Sequence, residues 1–414
     1  MTATTCVLDG FGPLPLVRPQ SVEEAGELVR HASASASALY PVGGQTKMAL
    51  GNPPSRPGHV VDMRGLAQVV DFPARDMTIT VQAGISIKEL RDITTREKLD
   101  LPIDVAQADR ATLGGILAAN TSGPRRFGNG TLRDYVIGIS ALNDEGREFK
   151  AGGRVVKNVA GYDLCKLLVG SLGTLGIITQ ATLKLRPLPE EQAIVGLACD
   201  ADRLDCILSC MHATRTRPVC LDLLNRAAAN VVFRQAGLAP PESAWMVLVG
   251  YEGNGTAVHW QVQQLVKEVG AQCRIEARVD FTARPLCHAL VEFAHLPEHA
   301  LSLKASLLPS ATAAFSLAAE GCAIHAHAGS GIVLGHYARA ADLTKDHAAR
   351  MLTSWRERAA KGQGTVVATR CPFEWKSALD VWGPPRGDAW LMREIKKKFD
   401  PRAIFNPARF VDGI

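Results

Sequence analysis

Aromatic side chains are scarce in this chain, with six Trp, five Tyr and 12 Phe among 414 residues. Basic clusters are equally sparse: 46 basic and 41 acidic residues leave a net charge of +5, and the longest basic run is Lys396–Lys398. A protein that binds nucleic acid needs a cationic surface and platforms for stacking bases, so that class is excluded. No stretch reaches the roughly 18 consecutive apolar residues of a membrane span. The opening MTATTCVLDGFGPLPLV has no positive segment followed by an apolar one, so a cytoplasmic location is expected, with membrane attachment only through partners. Cys-x-x-Cys is absent too, and ten cysteines without an export signal read as reduced thiols, so the chain carries no iron–sulfur cluster of its own. The nearest approach to a cluster is Cys199, Cys206, Cys210 and Cys220. Cys206 and Cys210 fall on a predicted helix, ADRLDCILSCMHAT, where they are expected to share the buried face of Leu204 and Ile207 as core thiols.

What is present is an apolar share of 47% against a charged share of 21%, the balance of a globular protein. A chain of this length exceeds one ordinary core, so two domains are expected. The most distinctive stretch is Gly152–Pro187, in which Gly170, Gly173 and Gly176 fall within seven residues and lead into an alternating strand. Each glycine costs chain entropy on folding, so such a cluster implies either close approach of a ligand to the backbone or a tight turn packed on a sheet.

Residues 16–42 read as strand, helix, strand, with Ser21 and Glu24 forming a capping-box signature. The loop that follows, VGGQTKMALGN, offers successive backbone N–H groups for an anion, with Thr46 and Lys47 adding a hydroxyl and a charge. It is neither a phosphate-binding G-x-x-x-x-G-K-[ST] loop nor a G-x-G-x-x-G dinucleotide fingerprint. HVVDM, QVVDF and MTITVQAG read as short strands, Ser86–Glu97 as a second capped helix, and IGISALNDEGREF as a hairpin around Asp144–Gly146. Thr112-Leu113-Gly114-Gly115 and the polar turn of Asn120, Ser122 and Gly123 present more bare backbone.

In order, the motifs PVGGQTKMALG, VQAGISIKEL, ATLGGILAANTSGPRRFGNGTLRDYVIG, VVKNVAGYDLCKLLVGSLGTLGIITQATLKLRP and FDPRAIFNPAR resemble the PCMH-type FAD-binding fold of the vanillyl-alcohol oxidase superfamily. Within it they are most similar to FAD-binding subunits of bacterial glycolate oxidases. The resemblance implies an α+β protein: a two-subdomain FAD-binding domain over residues 1–190, an antiparallel-sheet α/β cap domain over 191–381, and a C-terminal segment, 382–414, returning to the first domain. It implies non-covalent FAD. Val42, Gly43, Gly44, Gln45, Thr46, Lys47 and Met48 would hold the pyrophosphate on backbone amides. Thr112, Leu113, Gly114 and Gly115, with Asn120, Ser122 and Gly123, would line the ribityl chain and flavin. Lys157 and Gly161–Asp163 would support that site, Gly173, Gly176, Ile177 and Ile178 would pack against the cofactor, and Asn406 would return towards the isoalloxazine.

After Pro189 the pattern changes to AIVGLACD, VCLDLL, WMVLVGYEG and CRIEARVD as strands, with VHWQVQQLVKEVG as a helix between the last two. Gly329, Gly331 and Gly335 imitate a dinucleotide fingerprint, but no helix opens at their end. His325, His327 and His336 read as core or surface histidines in preference to metal ligands. Relatives that oxidise D-2-hydroxy acids carry His-x-Gly-Asp-Gly-Asn-x-His at this place. Here His327, Gly329 and Gly331 are kept, while Ser330, Ile332 and Leu334 stand at the Asp, Asn and second His positions, and the later Gly-Glu-His-Gly is missing. The metal and general base of those relatives are therefore not expected here. By resemblance the chain is an FAD subunit that oxidises a small 2-hydroxy acid such as glycolate in a complex with a second FAD subunit and an iron–sulfur subunit. Two alternatives stand beside this. One is a self-sufficient oxidoreductase, with Arg125, Arg126 or Arg284 clamping a carboxylate and His327 as base. The other is a structural subunit with residual FAD.

Overall fold

The computed structural model describes residues 4–153, 162–270, 274–279, 282–296, 298–338 and 343–414. Lys157 and Gly161, assigned above to the support of the flavin site, lie outside the described residues. The chain divides into two units: Met1–Thr121, Thr131–Leu188 and Asp380–Ile414 form the first, and Ser122–Gly130 with Pro189–Leu379 form the second.

The first unit contains two sheets. In the four-stranded sheet the order is Thr5–Leu8, Phe11–Val17, Gly58–Asp62, Ala38–Val42, and the last three strands run parallel. The connection between Phe11–Val17 and Ala38–Val42 is the helix Val22–Ser35, whose N-cap Ser21 accepts from the Glu24 amide. Its apolar stripe, Ala25, Val29 and Ala32, is buried against Leu39, Val61 and Phe405. The five-stranded sheet is antiparallel in the order Val69–Asp71, Thr78–Gln82, Ile177–Lys184, Val136–Leu142, Glu148–Gly152. Ile177–Lys184 is therefore central, and Ile79, Val81, Ile139, Ala181 and Leu183 join one core with Leu113, Ile116 and Leu117 of the helix Leu113–Ala119. The C-terminal segment adds itself to the edge strand Ala38–Val42: Leu39 donates to Ile404 O at 2.7 Å and receives the Asn406 amide at 2.9 Å. The loop that leaves Val42 and residues 404–410 are thereby brought side by side.

The second unit is built on an eight-stranded antiparallel sheet in the order Arg274–Val279, Glu191–Cys199, Trp245–Gly253, Cys220–Asn225, Ala323–His327, Ile332–Ala338, His299–Ser306, Thr365–Arg370. The helices Arg226–Gln235 and Arg284–Phe293 bury Val232, Phe233, Leu286 and Phe293 against Ile194, Leu224, Met246 and Leu248. The α+β class and the antiparallel second sheet agree with the expectation from sequence.

The cysteine expectation needs correction. Cys199 and Cys220 are buried, but Cys206 is exposed and Cys210 half-buried. On the helix Leu204–His212 the buried residues are Leu204, Ile207, Leu208 and Met211. A residue two after Leu204 lies about 200° around the helix, on its outer side. Among the described residues no helix is long and apolar enough to cross a membrane.

Candidate functional site

The strand Ala38–Val42 ends in Gly43-Gly44-Gln45, where Gln45 takes a left-handed φ of 58°. The two glycines are required by the wall behind them. A Cβ on Gly43 would stand 1.9 Å from Thr112 Oγ1, and one on Gly44 would stand 1.7 Å from Arg110 O. Bare backbone lets the turn sit flat on residues 110–112, while Arg110 donates to Gly44 O at 3.2 Å. Among the described residues no protein acceptor takes the backbone N–H groups of Gly44, Gln45 and Thr46. Unmet donors on a turn with a left-handed residue are what an anion-binding nest provides.

These residues border a cleft with about 710 Å³ of open space, lined by Tyr40, Val42–Met48, Thr112, Gly115, Leu172, Asn406 and Arg409. A second cleft of about 400 Å³ shares Val42, Gly43, Thr112 and Gly115 and continues past Gly114, Gly173, Ile177 and Ile178. An FAD fits this chemistry: unmet amide donors suit its pyrophosphate, and a small-residue, apolar extension suits a flat ring system. Asn406 is placed by its own hydrogen bond to Leu172 O at 2.6 Å, and Gly173, at φ 67°, leaves room where a Cβ would press on Asn406 and Pro41 at 3.1 Å.

Of the residues expected at the cofactor, the two clefts bring together Val42–Met48, Thr112, Gly114, Gly115, Gly173, Ile177, Ile178 and Asn406. The others do not line either cleft. Leu113 points into the core, Asn120 is an exposed helix C-cap in the left-handed region, and Gly176 is buried facing Leu142 O. Ser122 and Gly123 belong to the second unit, where Ser122 accepts from Arg126 at 2.8 Å. Arg409 was missed as a lining residue, although it sits three residues after Asn406 in the same motif.

The second unit holds the other candidate group. Asp222, fully buried, stands opposite His327 in strand register, and its two oxygens accept from His325 Nε2 at 2.7 Å and His327 Nδ1 at 3.0 Å. Burial alone would raise this carboxyl, but the two imidazoles outweigh it and hold it well below the usual carboxylate range. Burial pushes the His325 imidazole down in spite of Asp222. The sequence signal for Asp222 was one acidic residue in the apolar strand CLDLLN. Among the described residues these three donor atoms form the single group close enough to share a metal, all within 4.8 Å. They suit a hydrogen-bonded triad better. A metal on Nε2 would move the His325 proton to Nδ1, a buried nitrogen with no hydrogen-bond partner among the described residues, whereas a ligating histidine normally donates its second N–H. Ile332 and Leu334, at the relatives' motif positions, have no ligating atom.

Arg125 is committed to Glu252 at 3.2 Å, with Asn129 on the same carboxylate at 2.7 Å, and Arg284 is exposed at the start of its helix. Lys304, on the strand next to Ile332–Ala338, has its amine pushed down by burial and then by the charge of Arg126. It has no hydrogen-bond or ion-pair partner among the described residues.

Behind the triad, His299 and His336 stack with centroids 4.4 Å apart, edge-on to Phe293. His336 Nδ1 shares a hydrogen bond with Ser302 Oγ at 3.0 Å, while His299 Nδ1 and His336 Nε2 have no partner among the described residues. Burial holds His299 down at about 4, with Arg370 adding to the effect and Glu298 opposing it. His336 is held well below its usual value by burial, then by His299, His325, His295 and Arg370. Both are neutral in the folded state and protonate on unfolding below about pH 6.5, so their contribution is complete above that pH and fades as pH falls towards 4. Each costs at most about 1.4 kcal/mol per pH unit. The melting temperature is expected to drop between pH 7.5 and 5, and less steeply in His299→Phe; a flat profile in the native protein contradicts this.

Residues 13–152 match the FAD binding domain family, and residues 188–300 match the C-terminal domain of the FAD linked oxidases. The chain thus carries an FAD binding domain followed by an FAD linked oxidase C-terminal domain. FAD is its cofactor, and it is an FAD-dependent oxidoreductase of the kind that acts on CH–OH donors. Over 96% of its length it is 27% identical to glycolate oxidase subunit GlcD of Bacillus subtilis, of which it covers 88%. It is 34% identical to glycolate oxidase subunit GlcE of Escherichia coli over 39% of this chain and 46% of that one. Alkyldihydroxyacetonephosphate synthase shares the fold, with a TM-score of 0.68 at 18% identity over 95% of this chain and 77% of that one.

Proposed function

We propose that this FAD linked oxidase is the FAD-binding subunit of a complex that oxidises glycolate or a related 2-hydroxy acid, working with a second FAD subunit and an iron–sulfur subunit. The observation that carries the proposal is the nest-bearing cleft of residues 42–48, Thr112 and Asn406, in a chain similar to a glycolate oxidase subunit along nearly its whole length. Bound FAD supplies a two-electron acceptor that can pass electrons on singly, which a route from a hydroxy acid to an iron–sulfur carrier requires.

The roles of the chain's own residues follow. Gly44, Gln45 and Thr46 offer amides to the pyrophosphate, and Gly114, Gly173, Ile177 and Ile178 give the ring system a small, apolar wall. In the second unit, Lys304 is half-buried and its amine feels the charge of Arg126 with no acidic partner among the described residues, so an anionic carboxylate suits this pair of cations. The absence of Cys-x-x-Cys favours a separate iron–sulfur partner. Affinity purification from the native cell, with subunit identification and iron and acid-labile sulfide assays, tests the complex. Recovery of the chain alone, fully active, replaces the proposal with a self-sufficient oxidoreductase.

The flavin is expected to be held without a covalent bond. Among the described residues lining either cleft the one His, Cys or Tyr is Tyr40, in the first, and its hydroxyl already donates to Arg56 O at 2.5 Å. Acid precipitation should leave all yellow colour in the supernatant; flavin fluorescence that stays with the denatured band on a gel refutes this.

A further inference from the structure

The loop of residues 43–52 is held in shape from outside. Arg409, 8% exposed, donates from Nη1 to Asn52 O at 2.6 Å and from Nη2 to Met48 O at 2.7 Å and Leu50 O at 2.8 Å. Three carbonyls on alternate residues thus converge on one guanidinium, with Asp9 Oδ2 3.5 Å from Nη1 as its counter-charge. Without that cation the three carbonyl dipoles and the Asp9 carboxylate would face one another in a buried space.

The backbone around Arg409 completes a clasp. Its carbonyl accepts from the Asn52 amide at 3.0 Å and from Trp382 Nε1 at 3.2 Å, and Asn52 Nδ2 donates to Ala408 O at 3.1 Å and Phe410 O at 3.0 Å. Gly51 is pressed so close that a Cβ there would lie 2.3 Å from Arg409 O. The loop begins with two glycines, whose freedom makes an unsupported turn costly to order when a ligand arrives.

We infer that Arg409 is a positioning residue for the cofactor: through Met48, Leu50 and Asn52 it sets the shape of the 43–52 loop and so its selectivity for a pyrophosphate-bearing flavin. This rests on reading Val42–Met48 as the pyrophosphate cradle. Lysine keeps the charge but lacks the planar five-donor fork that reaches three carbonyls together.

The test titrates flavin-free full-length protein with FAD and with FMN, which lacks the pyrophosphate linkage, following flavin fluorescence. The native protein should prefer FAD. Arg409→Met should lose roughly tenfold or more of that preference, Arg409→Lys should lose less, and Asp9→Asn less again. Asp9→Asn combined with Arg409→Met should be no worse than Arg409→Met alone. A variant that loses affinity for both flavins alike, with its FAD-to-FMN ratio intact, shows a general folding role and overturns the inference, as does an unchanged affinity. If Arg409→Met does not fold, Arg409→Lys and Asp9→Asn give the ratio. Native protein that binds FAD no better than FMN removes the cradle reading itself, a failure separate from that of Arg409.

Discussion

Replacing Gly44 with aspartate is expected to strip the protein of FAD, and Gly43→Asp to do nearly as much, while Lys47→Ala leaves most of the flavin bound. The difference comes from what each side chain meets. A Cβ at Gly44 would lie 1.7 Å from Arg110 O and one at Gly43 1.9 Å from Thr112 Oγ1, so either substitution pushes the turn off its supporting wall. The added carboxylate would also repel the dianionic pyrophosphate that the turn is proposed to hold. Lys47 contributes one partly solvated charge, worth on the order of 1 kcal/mol, or about a fivefold change in dissociation constant. The aspartate variants should weaken FAD by well over 100-fold, about three or more such increments. Gly44→Ala separates the two causes: loss from packing alone appears there, and the remainder in Gly44→Asp is charge. The ratio of flavin to protein absorbance after purification, followed by titration of the flavin-free protein, gives the numbers. Equal occupancy in Gly43→Asp, Gly44→Asp and Lys47→Ala would place the pyrophosphate elsewhere.

That the glycines of this turn answer to the protein as well as to the ligand could not be read from the motif. The sequence of PVGGQTKMALG shows bare backbone, and close approach of a cofactor is one cause of bare backbone. Contact with Arg110 O and Thr112 Oγ1 is another, and it depends on the tertiary placement of a segment more than 60 residues away. Local structure was legible where one periodicity ruled: the capped helix at Ser21, the alternating strand after Gly176 and the helix Gly255–Val269 all lie where the pattern put them. Arg409 escaped because its partners are the carbonyls of Met48, Leu50 and Asn52, and carbonyls leave no trace in residue type. Asp222 escaped for a related reason. Its meaning comes from His325 and His327, about a hundred residues along the chain, and is fixed by a strand register that no local pattern encodes. Cys206 was misplaced by assuming that apolar neighbours in sequence share a face, when the helix turns Leu204 and Cys206 to opposite sides.

The isolated chain, though yellow, is expected to turn over 2-hydroxy acids slowly, and to gain speed when the proposed second FAD subunit and iron–sulfur subunit are added. A hydroxy acid gives up its hydroxyl proton as its C–H bond is oxidised, so a side chain must stand ready to take that proton. His327 is the histidine kept from the relatives' motif; with Nδ1 bonded to Asp222 only Nε2 is left to take a proton, and the ring is 5% exposed, which keeps that nitrogen from a substrate. Ser330, Ile332 and Leu334 replace the other polar positions, and neither Ile332 nor Leu334 can accept a proton. Absence of a positioned base typically costs a factor of about 10² to 10⁴ in rate. Lys304 and Arg126 would still bind the carboxylate, so weak binding without fast oxidation is the expected signature. Anaerobic mixing of the purified chain with glycolate and with D-lactate, while the visible flavin band is followed, makes the measurement. Slow bleaching that becomes fast on adding the partner subunits supports the complex, and His327→Gln should then change the isolated chain's slow rate little. Rapid, complete bleaching by either acid with no partner present would show that a base is already in place, and would make this chain a dehydrogenase in its own right.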